Sequence, residues 1–450
     1  MRVLANAGGT AYNTSVMRPL HQSGIALCLS ATLLFSSCGS AKTPRVIVLG
    51  FDGLDPTIVD TLIKQGKLPN LARLREQGAW GRLQSIRPSI SAVIWTSIAT
   101  GTTMIKHGIV SWTYIREKGI SVPYNQSEVR QPPVWEILDQ WKKRSVVVNW
   151  FNTYPPEPIR GVIVSDMARR LIQLKKPSLL QDTVYPPSYF SLVERFADHD
   201  LNRVLRQNEL PNYFMLARQL GMDIQKTPVL PGYGTYVLHE NLIKHIAWEL
   251  HATESWDLFA AYFRFPDEIE HFLNAFLPPG LSTPAKEQMR RSGSLAPDLA
   301  VRLEEEYARL ALPVYAWADR ILGEYMQTMD PQTYLMVLSD HGFAFTAEGF
   351  NHQLPEEKEP VAGFFALTGP GVRRNFPIPN ISVYDVAPTI LHLFRLPLGK
   401  EMDGKLRPEM FSFSRPIQYR PYYKKSFIKA HRQDLDQKTL EELRTLGYIR

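Results

Sequence analysis

Cysteine is nearly missing from this 450-residue chain: only Cys28 and Cys38 occur, both close to the N-terminus. A disulfide framework for the body is thereby excluded. Long apolar runs are scarce as well. The stretch Ile25 to Phe35 is shorter than the ~20 residues a transmembrane helix needs, and no other segment is long and apolar enough to span a bilayer. No run of Lys and Arg is dense enough for a nucleic-acid footprint, although the formal net charge is +7. So mild a basic balance suits anionic substrates or surfaces. Internal repeats and low-complexity tracts are absent too. What remains is an ordinary globular composition, 44% hydrophobic and 21% charged, which confines disorder to the ends. The length accommodates one large α/β domain with an insertion, or two domains.

The N-terminal segment reads as a targeting signal. From Met17 a short basic start, Met-Arg-Pro-Leu-His, precedes the apolar stretch, and Ser36-Ser37-Cys38-Gly39-Ser40 follows it. A basic start, a short apolar core and small residues describe a secretory signal. Small residues directly before a cysteine resemble the bacterial lipoprotein box, with Phe35 where leucine is more usual. Residues 1–37 are therefore expected to be a lipoprotein-type signal and Cys38 the acylated first residue. Residues 1–16 stand ahead of a signal starting at Met17. The expected product is exported and held by a lipid anchor to the periplasmic or outer face of a membrane.

Beyond a short polar linker, Arg45 to Gly50 is a compact β-branched run, the pattern of a buried strand. Asp52 sits in the turn after it. Asp55 and Pro56 then supply an N-cap and a first helical residue, opening a helix to about Gly66. Strand, acidic turn and helix begin a parallel α/β unit, whose ligands bind beyond the carboxyl ends of the strands. Further strands are expected at 145–150, 161–165, 257–265, 334–339 and 363–368. Residues 45–166 and 255–411 form the expected core. Residues 167–254, rich in Pro joints and amphipathic stretches, are expected to be an inserted cap over the strand ends. A helix from Leu299 to Met329 is expected to be interrupted at Pro313. Residues 412–450 form a basic tail ending in a short helix near Leu440–Leu446.

The chemistry lies at the ends of the apolar runs. Asp340-His341 closes Tyr334–Ser339, so a carboxylate and an imidazole leave one strand end together. Burying a carboxylate there is costly without a cation. Asp267 and His271 lie one helical turn apart, on one face. Ser91 opens a helical stretch closed by Thr100-Gly101, where the unpaired N–H groups and positive dipole end favour an alkoxide and a bound phosphate. Ser89 competes for that role, and an N-cap is what such serines usually are. Carboxylates, imidazoles and a hydroxyl in this pattern point to metal-assisted phosphoryl transfer. Other candidates take plainer readings. His239, His245 and His251 recur every six residues and face three ways on a helix. His107 reads as a packed turn residue, Trp95 as core, and Asp319 and Asp385 as structural.

Together these motifs resemble the alkaline phosphatase superfamily, closest to its type I phosphodiesterase/nucleotide pyrophosphatase branch. Phe51-Asp52-Gly53 matches the branch's first motif. Its nucleophile lies nine residues before a Thr-Gly and sixteen before a His-Gly; Thr100-Gly101 and His107-Gly108 place it on Ser91. The resemblance spans Arg45 to Phe411. It implies an α/β fold with a mostly parallel sheet flanked by helices, and two divalent metal ions, zinc before manganese. One metal would be held by Asp52, Ser91, Asp340 and His341, the other by Asp267, His271 and a late histidine, for which His352 is the candidate in reach. It also implies a phosphate-ester substrate and a phosphoseryl intermediate.

Two departures leave the substrate open. Glu359 and Pro360 occupy the stretch where the late histidine often lies. The asparagine that helps bind phosphate in the branch falls on Trp112, which is expected to shape a rim, and no matching arginine clamp is evident. Sulfatases share the fold, but their common type needs Cys or Ser followed by x-Pro-x-Arg; Ala92-Val93-Ile94-Trp95 follows Ser91 instead. The monoester hydrolases and phospho-group transferases of the superfamily remain alternatives, with a non-catalytic binding lipoprotein as the reading from another class.

Overall fold

The computed structural model describes residues 43–115, 121–172, 181–206, 211–220 and 230–424. The signal, Cys38 and the helix expected near Leu440–Leu446 lie outside them. A nine-stranded sheet organises the fold: β1 (Arg45–Phe51), β2 (Ala79–Leu83), β3 (Ser145–Val148), β4 (Gly161–Val164), β5 (Val184–Tyr185), β6 (Leu258–Phe263), β7 (Thr333–Leu338), β8 (Gly363–Thr368) and β9 (Phe376–Pro377). Their order across the sheet is β9-β2-β8-β7-β1-β6-β3-β4-β5. The five strands from β7 to β4 run parallel, whereas β8 is antiparallel to both β7 and β2, and β5 to β4. This is the expected mostly parallel α/β architecture.

Among the helices that pack on the sheet or carry residues to its carboxyl end are α1 (Pro56–Lys64), α2 (Ser91–Thr100), α3 (Leu230–Thr253), α4 (Phe265–Leu273), α5 (Pro297–Gln327) and α6 (Val386–Leu393). They cover both faces, and the pleat of β1 shows why. Val46 and Val48 pack with α2 and α6, whereas Ile47, Leu49 and Phe51 pack with α1, α3 and α5. Period-two alternation in a strand covered on both sides demands apolar residues at every position, and that is how Arg45-Val-Ile-Val-Leu-Gly-Phe51 reads. Each fully buried Val, Ile or Leu is worth roughly 1.5–3 kcal/mol, so the centre of the sheet is a rigid platform for the loops at its carboxyl end.

Local signals set α1 as expected. The Asp55 carboxylate accepts from the Thr57 and Ile58 amides at 2.6 and 3.2 Å, and Pro56 follows as the first helical residue. Pro313, in contrast, does not interrupt its helix: α5 runs continuously from Pro297 to Gln327. Its ring faces solvent, where water can meet the carbonyl it frees. The short strand β2 was not anticipated, because Ala-Trp-Gly-Arg-Leu shows no β-branched run; pairing with β8 makes it a strand. Residues 167–254, read as a cap, contribute β5 to the sheet edge and α3 to one of its faces.

Candidate metal centre

Three neighbouring strands, β7, β1 and β6, deliver the acidic residues to one place. Phe51 pairs with Phe263 and Gly50 with Leu338, so the loops after the three strands start at nearly the same level. Asp52 follows β1, Asp340 and His341 follow β7, and α4 after β6 carries Asp267 and His271. His352 arrives from the short hairpin Ala344–Thr346/Gly349–Asn351. The His341 Nε2 lies 3.2 Å from Asp52 Oδ1, 3.5 Å from Asp340 Oδ2 and 3.8 Å from Asp267 Oδ1. The His352 Nε2 lies 3.8 Å from the same Asp267 oxygen and 3.2 Å from His271 Nε2, which in turn is 3.3 Å from Asp267 Oδ1.

Two groups of side chains offer one donor atom each within a shared sphere: Asp52, Asp340 and His341, and Asp267, His341 and His352. His341 belongs to both. His271, the exposed member with 42% of its side chain accessible, stands at the rim. The expected carboxylates and imidazoles lie together here, and His271 keeps contact with Asp267 and His352 at 3.3 and 3.2 Å.

The electrostatics say what the centre needs. Asp52 Oδ1, Asp267 Oδ1, Asp340 Oδ2 and His341 Nε2 are buried without a hydrogen-bond partner. Burial, and then the neighbouring Asp52, push the Asp340 carboxyl well above the usual carboxylate range. Burial alone would lower the His341 imidazole, but Asp340, Asp52 and Asp267 outweigh it and raise it to about 10. The His352 imidazole goes the other way, down to about 3, through burial and the His341 charge. Three buried carboxylates in mutual contact therefore demand positive charge; leaving each uncompensated costs several kcal/mol. Divalent cations answer that demand. Zinc bonds of ~2.0–2.2 Å in tetrahedral geometry set donor atoms roughly 3.3–3.5 Å apart, and the separations here run from 3.2 to 3.8 Å. The residues fit divalent metal binding.

Comparison with protein families matches residues 46–380 to "Type I phosphodiesterase / nucleotide pyrophosphatase". This chain belongs to that family. A search of curated proteins found no match. Among solved structures, BT1596, a 2-O GAG sulfatase, is similar at 12% identity, covering 82% of this chain and 74% of that one with a TM-score of 0.52. A putative sulfatase from Bacteroides thetaiotaomicron has the same identity and TM-score, with coverage of 86% and 79%. Human ectonucleotide pyrophosphatase/phosphodiesterase 5, also at 12% identity, covers 82% of this chain and 100% of its own with a TM-score of 0.47. The two sulfatases share the alkaline-phosphatase-like fold with this member of the phosphodiesterase family.

Close approaches at two glycines bring these loops together. Gly53, at φ 78°, lets the backbone of Asp267 come so near that an added Cβ would lie 2.9 Å from its Cα. Gly342 leaves room for the Asp55 carboxylate, which accepts from the Phe343 amide at 2.9 Å. Asp55 thus caps α1 and pins the Asp-His-Gly loop with one side chain. The Asp55 amide in turn donates to the Tyr315 hydroxyl.

Ser91 is the first residue of α2 and is buried at 3% exposure; Ile90, not Ser91, occupies the cap position. The capping role usual for such serines is therefore not its role. Ser89, the competitor, directs its hydroxyl to the Ile86 carbonyl at 3.5 Å. One turn beyond Ser91, Trp95 packs over Gly50 of β1 and against Tyr262, with ring centroids 4.5 Å apart. The Tyr262 hydroxyl donates to Asp52 Oδ2, and the Asn149 amide nitrogen donates to the Tyr262 carbonyl at 2.9 Å.

Tyr262 and Arg264 were missed in the sequence, where they read as strand filler. The available signal was their place, five and three residues before Asp267 at a strand's carboxyl end. His107 is packed as expected. The Ile109 amide donates to its Nδ1 and its Nε2 meets Ser97 Oγ at 2.9 Å, fixing a neutral ring. The α3 histidines face apart, and among the described residues none joins a potential metal group.

Proposed function

We propose that this family member hydrolyses phosphate esters, phosphodiesters or pyrophosphates foremost, through two divalent metal ions and a phosphoserine formed on Ser91. The observation that carries this reading is the convergence of unpartnered Asp52, Asp267, Asp340 and His341 atoms at the ends of three adjacent strands. Asp52, Asp340 and His341 would hold one ion, and Asp267 and His352, with His271 at the rim, the other. Bound there, the ions would supply Lewis acidity toward developing negative charge. Ser91, its hydroxyl proton lost to solvent, attacks phosphorus in line from the start of α2, and the Oγ–P bond forms as the P–O bond to the leaving alcohol breaks; water then cleaves the Oγ–P bond, which frees the phosphate product and returns the serine. Tyr262 keeps Asp52 aimed into the centre, and Asp55 does the same for the Asp340-His341 loop.

Zinc suits the mixed carboxylate and imidazole donors, with manganese second. Although both neighbours with the higher TM-score are sulfatases, Ala92 to Trp95 after Ser91 lacks the sequence for formylglycine, which favours a serine nucleophile and a phosphate ester. The decisive test is turnover of bis(p-nitrophenyl) phosphate with metal content measured on the same sample. Turnover by wild type and none by Ser91→Ala, with metal retained, is the expected result; undiminished turnover by Ser91→Ala defeats the assignment. The ratio of diester to monoester rates separates a phosphodiesterase from a phosphomonoesterase or transferase. We further propose export as a lipoprotein anchored through Cys38. Release of a Cys38→Ala protein from the membrane fraction is expected, and retention there refutes the anchor.

A further inference from the structure

We propose that Arg264 contacts an anionic oxygen of the phosphate ester and so sets the charge preference of the site, an inference that rests on the proposed hydrolase function. Arg264 leaves β6 directly after Phe263, the residue paired with Phe51, while Asp52 leaves β1 at the same level and donates its amide to the Phe263 carbonyl at 2.9 Å. Strand register therefore places this guanidinium beside the ligand-bearing loop. It also precedes Asp267 by three residues, at the cap position of α4.

The surroundings hold the guanidinium without using it up. Its Cζ lies 4.8 Å from the Phe151 ring centroid and 5.9 Å from that of Trp112. Stacking of that kind fixes the plane of an arginine while leaving its N–H edge free. Its one ionic partner among the described residues, Glu268, sits 3.6 Å from Nε, and Glu268 is engaged more closely by Arg169 at 2.9 Å. Among the described residues the Arg264 side chain has no hydrogen bond. A guanidinium carries five donors in a fork that matches phosphate geometry, so most of its capacity is uncommitted.

Access and charge agree with that role. The Arg264 side chain is 19% exposed, and the neighbouring Trp112 is exposed at 41%, marking the open side of the site. Burial opposes the charge on Arg264, but Glu268, Tyr262, Asp52 and Asp267 more than restore it. The backbone bond from Asp52 to Phe263 and the three-residue step to Asp267 keep Arg264 next to both ligand-bearing segments. Glu268, held by Arg169 from the stretch 167–254, anchors the Nε side of Arg264.

Inorganic phosphate is the probe, titrated calorimetrically into full-length zinc-loaded wild type, Arg264→Ala and Arg264→Lys, with zinc content measured on each. The expected result is phosphate affinity weaker by about tenfold to a hundredfold in Arg264→Ala, a smaller loss in Arg264→Lys, and unchanged zinc. For bis(p-nitrophenyl) phosphate, KM should rise in the alanine variant and fall back when guanidinium is added, an effect that a purely structural role would not give. Phosphate affinity within about twofold of wild type overturns the proposal. Loss of zinc from both variants overturns it as well, because it makes Arg264 a support for α4. A zinc-loaded wild type that binds phosphate but turns over no phosphate ester defeats the hydrolase reading instead, and the titration still decides on Arg264.

Discussion

Two sets of buried acids in this fold meet burial in opposite ways. Asp319 accepts from the Asn70 and Leu71 amides at 3.2 and 2.7 Å and from the Asn70 side chain at 3.0 Å. Asp385 accepts from the Ser382 and Lys405 amides and from Arg407. Each of these carboxylates is satisfied by the chain itself and ties two elements together. Asp52, Asp267 and Asp340 each keep an oxygen without a donor and turn it toward the others. A fold tolerates such an arrangement when something absent from the polypeptide supplies the charge. The histidines divide in the same way: His107 is satisfied at both nitrogens, whereas His341 Nε2 is left facing three carboxylates.

The sharpest way to test this division is to remove one member of each set. Asp340→Asn, like Ser91→Ala at the proposed nucleophile, should lower turnover of bis(p-nitrophenyl) phosphate by at least about a thousandfold. Asp319→Ala should leave kcat/KM of the folded protein unchanged. The same Asp319→Ala change should cost about 3 kcal/mol in urea unfolding, because the Asn70 and Leu71 donors lose a charged acceptor. A large loss of turnover in folded Asp319→Ala protein would erase the distinction.

The satisfied histidine offers a test by pH. Burial lowers the His107 pKa to about 4, below its unfolded value of about 6.5. The unfolded chain therefore binds the extra proton first. Stability is full above pH 6.5 and declines as pH falls toward 4, by about 3 kcal/mol in all. Urea unfolding at pH 7 and pH 4.5 should show a smaller pH dependence in His107→Gln than in wild type; identical dependences would place the proton elsewhere.

The smallest effect carries the opposite sign. With metal stripped by a chelator, Asp340→Asn should raise the melting temperature, since it removes a buried carboxylate whose Oδ2 no donor meets; about 1–2 kcal/mol is expected. Unchanged or lower stability in the metal-free state would mean that Asp340 is a structural acid after all.

Much of the site was legible in the chain because its parts obey local rules. A strand covered on both faces must be apolar throughout, so Asp52 and Asp340 stood out as acids where such runs stop. Helical geometry alone put Asp267 and His271 one turn apart. Less legible were the residues whose roles depend on register. Tyr262 belongs to an apolar strand, and only the pairing of β6 with β1 carries its hydroxyl to Asp52. Arg264 read as part of the same strand until the pairing set it beside Asp52. Pro313 misled because a proline breaks a helix only where its freed carbonyl finds no partner, and exposure is a tertiary property.

By itself, then, the sequence determined the alternating layers, the positions of the acids and imidazoles at strand ends, and the helix opened by Ser91, since these depend on periodicity and capping within a few residues. The tertiary structure alone decided that β7, β1 and β6 lie side by side, that His341 is shared between two groups of donors, and that Arg264 stands next to them. Those outcomes depend on the order in which distant strands pair, and strand order is settled by packing across the whole sheet rather than by any single segment.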